Sequence, residues 1–407
     1  METRHITSRR PLYWLAVGAF ALSTEGFMIA PLLPSISKDL SVSVGMAGLL
    51  VTVFAFTYAI SSPVLTTLTG NLNRRTLLIF SLAAFTLANL FAWRATSFYQ
   101  LMGARVLLSF AAGLFLPNAN AVAGSIVAPE HRGRALAIVN GGSSVAIALG
   151  VPIGSIIASF GGWRTTFISV AVIGAIGTVG LVFGLSKEFG KGLPTASLSQ
   201  RLQVARRPAV LTALMSTLFW AMGAFVVYTY IAEYLGEALG SHGAPTSFIL
   251  FIWGVSAVSG MVLGGRLTDK LGYYRVIVLA LTVLVAAFVA LSAIDAYVQR
   301  QAALIPVIVA VILWGMSVWG FIAPQQTRLI GVGGVSVAPV TLSLHASFMY
   351  VGFSVGSALG AYTLTNNGAV HLGWVGGVLE AAALAVLLMT ERRKVARTAA
   401  AQGLVDG

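Results

Sequence analysis

Residues 246–294 read TSFILFIWGVSAVSGMVLGGRLTDKLGYYRVIVLALTVLVAAFVALSAI. Two apolar runs, 246–266 and 275–294, flank a short segment in which Arg266, Asp269, Lys270 and Arg275 stand among glycines. A run of roughly 20 apolar residues crosses a bilayer core of about 30 Å as an α-helix, because only a helix satisfies its own backbone in hydrocarbon. The stretch therefore predicts two membrane helices joined by a tight basic turn. Working outward, the same alternation predicts spans over 11–31, 44–66, 76–93, 98–124, 135–159, 166–186, 209–234, 302–323, 339–363 and 369–390, twelve in all. The 407 residues include only 12 Asp and Glu and 25 Lys and Arg, against 57% hydrophobic residues and a mean hydropathy of +0.89. A soluble protein of that composition lacks the polar surface to cover its core. The expected class is an all-α polytopic membrane protein.

The first run is too long for a cleaved signal peptide. It continues as Pro31-Leu32-Leu33-Pro34 without a small-residue cleavage site, so it is expected to stay as span 1. Cysteine is absent and no His/Asp/Glu group has metal-ligand spacing, so disulfides, metals and cofactors are not expected. The net charge of +13 is a matter of placement. With the N-terminus inside, all 25 cations fall on the inner side except Lys38, Arg94, Arg164 and Arg300 outside and Arg105 within a span. The positive-inside rule accounts for the basicity without a nucleic-acid partner, and both termini are expected in the cytoplasm.

The longest segment between spans, 187–208, is polar and basic and divides the spans six and six. It predicts a solvated linker, with a short surface helix at 198–206, between one six-helix unit at 1–186 and another at 209–407 with a short cytoplasmic tail. The halves echo one another. The loop after span 8 runs Gly264-Gly265-Arg266-Leu267-Thr268-Asp269-Lys270-Leu271-Gly272, and the loop after span 2 runs Thr69-Gly70-Asn71-Leu72-Asn73-Arg74-Arg75. Glycine permits a tight turn, cations suit the carboxyl end of the preceding helix, and Asp269 suits the amino end of the next. Repeats of this kind mark secondary transporters whose halves rock about a midplane site.

The pattern Gly265-x-Leu267-x-Asp269-Lys270-x-Gly272 resembles the cytoplasmic loop signature of the major facilitator superfamily, with Tyr273 and Tyr274 where basic residues are usual. In the first-half copy Gly70 takes the place of the Asp and only Arg74-Arg75 persist. Arg105 to Ser109 with Gly113 resembles the span-4 signature. Gly142 followed by Gly150, Pro152 and Gly154 resembles the span-5 signature of antiporters. Gly162-Trp163-Arg164 resembles the entry to span 6 in bacterial drug and metabolite efflux members. The resemblance implies two pseudo-symmetric six-helix bundles working by alternating access. It also implies gating at Arg74, Arg75, Gly150, Pro152, Gly154, Gly265, Asp269 and Gly272, and location in a bacterial cytoplasmic (inner) membrane.

Ionisable residues inside spans are costly and normally face protein or water. Glu25 in span 1 is a proton carrier or a hydrogen-bonding link to a neighbouring helix. Arg105 is a fixed charge that tunes a carboxylate, holds an anion, or satisfies backbone carbonyls. His345 is a second proton site or a neutral interhelical donor. Glu380, in an outer span among Ala, Leu and Gly, is not expected to meet substrate. Spans 3, 6, 9 and 12 are almost purely aliphatic and are expected to face lipid. Polar and aromatic residues in the other spans, namely Tyr58, Phe115, Asn118, Asn140, Trp220, Tyr228, Trp253 and Trp314, are expected to line a cavity for a moderately apolar aromatic or heterocyclic ligand.

No phosphate-binding Gly-Lys-Ser/Thr loop is present, which leaves an ion gradient rather than ATP as the energy source. The reading is a monomeric secondary transporter that exports a small organic compound, such as a drug, sugar, nucleoside or other metabolite, in exchange for protons. A proton-coupled importer of a sugar or carboxylate has the same helices, and only the span-5 Gly/Pro stretch favours export. A membrane enzyme or receptor-like binding protein is the remaining class; an enzyme is not expected, because no nucleophile stands with an adjacent base.

Overall fold

A computed structural model describes residues 10–186, 197–240 and 244–403. Arg4, Arg9, Lys187 and Lys191, four of the expected inner cations, lie outside the described residues, as does the linker segment 187–196. The first half comprises α1 (Arg10–Asp39), α2 (Val44–Leu68), α3 (Arg74–Arg94), α4 (Phe98–Ser125), α5 (Arg132–Val145), α6 (Val151–Gly161) and α7 (Trp163–Gly184). A linker helix α8 (Leu198–Ala205) leads into α9 (Pro208–Tyr228), α10 (Ile231–Leu239), α11 (Ala244–Leu271) and α12 (Tyr273–Tyr297). The chain ends in α13 (Arg300–Gly320), α14 (Ile322–Gly333), α15 (Ala338–Asn367) and α16 (Val370–Gly403). Twelve of these segments are long and apolar enough to cross a membrane. Span 5 is α5 and α6 joined through one π-turn, and span 10 is α13 followed by α14.

Every main packing in the first half has a counterpart in the second. Helix α1 packs on α5 and α7 as α9 packs on α15 and α16; α2 and α3 pack on α4 as α11 and α12 pack on α13; α3 meets α7 as α12 meets α16. This is the architecture that the loop repeat predicts. The peripheral helices α3, α7, α12 and α16 present Leu87, Phe183, Leu279 and Val378 outward, the apolar exposure expected of spans 3, 6, 9 and 12.

Spans 10 and 12 run on to Gly333 and Gly403, past the expected 323 and 390, and two further boundaries differ for a tertiary reason. Span 1 continues past Pro31 and Pro34 to Asp39, where the Trp163 indole donates to Asp39 at 3.1 Å and Arg164 pairs with the same carboxylate. Arg164 also donates to the Ala95 carbonyl at 2.8 Å, so the Gly162-Trp163-Arg164 turn braces three helix ends. Span 7 stops at Tyr228 instead of 234, because Tyr230 leaves helical geometry (φ −112°, ψ 20°) and places its hydroxyl on the Ser357 carbonyl at 2.9 Å.

The halves meet towards the face opposite the linker, here the distal face. Ser354 donates to the Thr52 carbonyl at 3.0 Å, Ser357 to the Gly48 carbonyl at 3.1 Å, and the Ser155 and Ser247 hydroxyls lie 2.8 Å apart. Towards the linker face, Arg132, Arg134 and Asn140 of α5 are exposed, and α15 is mostly half-buried before Gly352. The conformer is closed at the distal face.

Gly254 makes that closure possible, since a Cβ there would lie 2.6 Å from the Ile147 carbonyl oxygen and 2.7 Å from Ala148 Cα. Backbone atoms cannot swing aside, so Gly254→Leu is expected to wedge the halves apart at the distal face. The chain has no native cysteine, and Ser354→Cys therefore reports cleanly. In the Gly254→Leu background it should react with a membrane-impermeant maleimide added at the distal side at least about tenfold faster, since loss of the closed state exposes a buried position. An unchanged rate would show that Gly254 does not control closure.

Candidate transport site

Helix α1 is laid against span 5 along a stripe of small residues. A Cβ on Gly142 would lie 2.2 Å from the Ala16 carbonyl oxygen, one on Gly150 would lie 2.3 Å from Thr24 Oγ1, and one on Gly154 would lie 3.5 Å from Met28 Cβ. Pro152 has no N–H for the usual helical bond. The Val151 amide reaches back to the Ala146 carbonyl instead, and the span stays continuous through a π-turn at Ala146–Gly150. The antiporter-like segment thus seats the turn of α1 that carries Glu25, while its π-turn also touches α11 of the other half.

Glu25 and Arg105 form an ion pair with no solvent exposure on either side chain. Arg105 Nη1 donates to Glu25 Oε1, and its Nε donates to the Leu50 carbonyl at 3.1 Å. The guanidinium carbon lies 4.2 Å from the centroid of the Phe54 ring, and Ser109 donates to the Phe54 carbonyl at 2.9 Å. Glu25 Oε2 and Arg105 Nη2 are buried without a hydrogen-bond partner among the described residues. Two of the three proton-coupling candidates therefore stand together. Leaving one member of such a pair unpaired costs about 3–5 kcal/mol, whereas the intact pair gives little net stability. An arrangement that is costly to break and nearly neutral to keep suits a switch better than a strut.

Two residues beyond Glu25, Phe27 crosses to the second half. Tyr228 donates to the Phe27 carbonyl at 2.9 Å, and the Phe27 ring lies 5.7 Å from Tyr228, 5.9 Å from Trp319 and 6.2 Å from Phe225. Trp253 lies 4.8 Å from Tyr228 and 5.5 Å from Trp314. With Trp220 these rings enclose a cavity of only about 20 Å³. A drug-sized ligand occupies roughly 300–1,000 Å³ of pocket, so the rings must separate to admit one. The Trp220, Trp253 and Trp314 indole nitrogens are all buried without an acceptor among the described residues. Each such unmet donor costs about 1–3 kcal/mol.

A run of stacked rings joins the ion pair to this cavity. Phe54 beneath Arg105 is 6.5 Å from Tyr58; Tyr58 of the first half stacks on Tyr350 of the second at 3.8 Å; and Tyr350 lies 5.3 Å from Phe353. Phe353 in turn stacks on Phe225 at 3.6 Å. The sequence does not single out Phe27, Phe225, Tyr350 or Phe353, since an aromatic in a membrane helix is usually packing. The available signals were Phe27 beside Glu25 and Phe353 beside Gly352.

Several expected site residues stand elsewhere. Phe115 is removed from the aromatic cavity and packs on Gly18 of α1, where a Cβ would lie 2.3 Å from its ring. Asn118 accepts from Arg74 Nη1 at 2.8 Å, which makes it a brace for the turn between α2 and α3 rather than a ligand contact. Asn140 is exposed on the linker side of α5. His345 is buried in the second half, its Nδ1 3.1 Å from Thr217 Oγ1, which also accepts from Gln325 at 2.9 Å. It is therefore separate from the Glu25–Arg105 pair. Glu380 is buried against Gly223 of α9, where a Cβ would meet its Oε1 at 2.7 Å, and it does not line the cavity.

The loop residues stand apart from the aromatic cavity. Arg75 donates to the Leu185 and Val182 carbonyls at 2.7 Å each, capping the carboxyl end of α7. Gly272 takes the positive φ of 79° that ends α11, and Gly265 has open space about it. Asp269 is exposed and has no ion-pair partner among the described residues. At the distal face, a groove of about 440 Å³ includes Pro31, Lys38 and Glu233. Burial, with Asp295 and Glu233 nearby, pushes the carboxyl of neighbouring Glu237 up.

Comparison with known proteins decides the family. A model of the Major Facilitator Superfamily matches residues 15–332. The chain belongs to this superfamily. The inner membrane transport protein YdhP of Escherichia coli strain K12 is 32% identical, over 94% of this chain and 96% of its own length. A chloramphenicol resistance protein of Streptomyces lividans is 33% identical over 64% of this chain and 67% of its own length. A probable sugar efflux transporter of Pasteurella multocida is 26% identical over 92% of this chain and 91% of its own length. The superfamily chain described here is accordingly a multi-pass membrane transporter and not an enzyme, with efflux proteins among its relatives.

Proposed function

We propose that this transporter exports a small, largely apolar organic compound in exchange for protons, with Glu25–Arg105 as the coupling pair and the aromatic cavity as the substrate site. The observation that carries the reading is the position of Glu25. It is fully buried with Arg105, two residues from a ring of the cavity and six residues, about 9 Å of helix, from the groove at the distal face. Protonation of Glu25 removes one charge of the pair and frees Arg105 from α1. That change reaches the cavity through Phe27 and through the Phe54–Tyr58–Tyr350 stack. The residues around the cavity supply no carboxylate and no cation, which favours an apolar ligand over the sugar or carboxylate of an importer.

The linker face is assigned to the cytoplasm by the cation asymmetry, the chain works as a monomer, and 1–186 and 209–407 move as the two rocking units about the 187–208 linker. The proton gradient supplies about 2.3 kcal/mol per 100 mV for each charge moved.

Everted membrane vesicles acidified by respiration test the reading. Adding aromatic compounds, chloramphenicol among them, should release internal protons as they are pumped in, seen as dequenching of acridine orange. Gradient-driven accumulation in right-side-out vesicles instead would establish import.

A further inference from the structure

We infer that the cavity takes a neutral, planar aromatic compound carrying hydrogen-bond acceptors, such as carbonyl, nitro or ring-nitrogen groups, because three of its indole N–H donors are buried and unmet. This rests on the aromatic cavity being the substrate site and names what that site selects. Trp220 Nε1, Trp253 Nε1 and Trp314 Nε1 all lack an acceptor among the described residues, and the three side chains are 1–3% exposed. All three rings line the same small space. The one hydroxyl there, that of Tyr228, is already committed to the Phe27 carbonyl. Side-chain chemistry in the lining is therefore donor-rich, the Tyr228 oxygen being its one side-chain oxygen acceptor. A buried donor finds no water to replace a missing partner, so three of them in one lining are a selective feature for a ligand that supplies acceptors. Flat rings on the ligand match the walls, where Phe225 and Phe353 already stack on one another at 3.6 Å and Trp220 stacks on Phe321 at 4.7 Å.

The same rings offer an alternative occupant, an organic cation held over π-faces. Two features disfavour it. The lining contains no carboxylate, and the nearest first-half carboxylate, Glu25, is already paired with Arg105.

Three bicyclic probes of equal size separate the possibilities: coumarin with acceptors, naphthalene without, and N-methylquinolinium as the cation. Retention is measured by equilibrium dialysis against the protein in nanodiscs at uniform pH, with empty nanodiscs subtracted. Wild type should retain coumarin over naphthalene and N-methylquinolinium. Trp253→Phe and Trp314→Phe keep a ring and remove a donor; each should weaken coumarin binding about fivefold more than it weakens naphthalene binding, the size of one net hydrogen bond. Naphthalene retention also shows that the cavity survives the substitution, and Trp220→Phe replaces either variant that does not fold. Equal loss of coumarin and naphthalene would overturn the inference, because the rings would then act by packing alone. Preference for N-methylquinolinium would overturn it in favour of a cation cage. No gradient is imposed, so failure of proton-coupled export would leave the coumarin preference standing. Conversely, proton-coupled export combined with equal retention of all three probes would sink only the present inference.

Discussion

Glu25→Gln is expected to abolish uphill transport while leaving binding and downhill exchange in place. A gradient of 100 mV acting on one charge supports about 50-fold accumulation. Reconstituted wild type should approach that value under an imposed pH gradient, and Glu25→Gln should fall to no accumulation at all. The structure sharpens the expectation. In this conformer, closed at the distal face, Glu25 holds Arg105, the state expected once the proton has been delivered. Glutamine keeps an oxygen for Arg105 Nη1 but can neither take up the proton nor restore the charge. The variant should therefore respond to substrate on both sides and to pH on neither. Accumulation by Glu25→Gln at the wild-type level would make the pair structural and move the search to His345, buried in a separate cluster with Thr217 and Gln325.

The twelve spans were legible because hydrophobic length is a local property, and the six-and-six division because charge and loop repeats are local too. Pairings across the fold were not. Glu25 and Arg105 could each be picked out as costly residues in a span, but nothing within a window of sequence says that positions 80 apart share a hydrogen bond. Asn118 and Arg74 show the same limit. One reads as a polar group for a cavity and the other as a loop cation, yet burial of the Arg74 side chain brings its guanidinium to the asparagine.

The break after Tyr228 escaped for a different reason. Neither glycine nor proline marks it, and the tertiary bond from Tyr230 to Ser357 decides the local geometry. Phe115 was misplaced because helix faces cannot be assigned in a span apolar all round; its partner Gly18 is the clue, a gap that an aromatic ring fills. By contrast, Trp220, Tyr228, Trp253 and Trp314, four of the eight residues expected at a cavity, stand around one space, since aromatic residues gathered in facing spans have one common space to fill.

Arg105→Met is expected to cost more stability than any surface change, about 3–5 kcal/mol, because it leaves the Glu25 carboxylate buried without its partner. Methionine fills similar volume beside Phe54, so the loss is mainly electrostatic, with a smaller part, about 1 kcal/mol, from the Leu50 carbonyl that Arg105 satisfies. The double variant Glu25→Gln with Arg105→Met removes both charges. It should regain most of the loss, since a buried pair exchanged for neutral groups is close to neutral in stability. Thermal unfolding of detergent-purified single and double variants measures the coupling directly, and the three melting temperatures form a double-mutant cycle with wild type. A double variant no more stable than Arg105→Met would mean that Arg105 acts through Leu50 and Phe54 rather than through Glu25. Full recovery of stability together with zero pH-driven transport would separate the two properties of the pair: nearly dispensable for holding α1 to α4, and required for letting a proton move them.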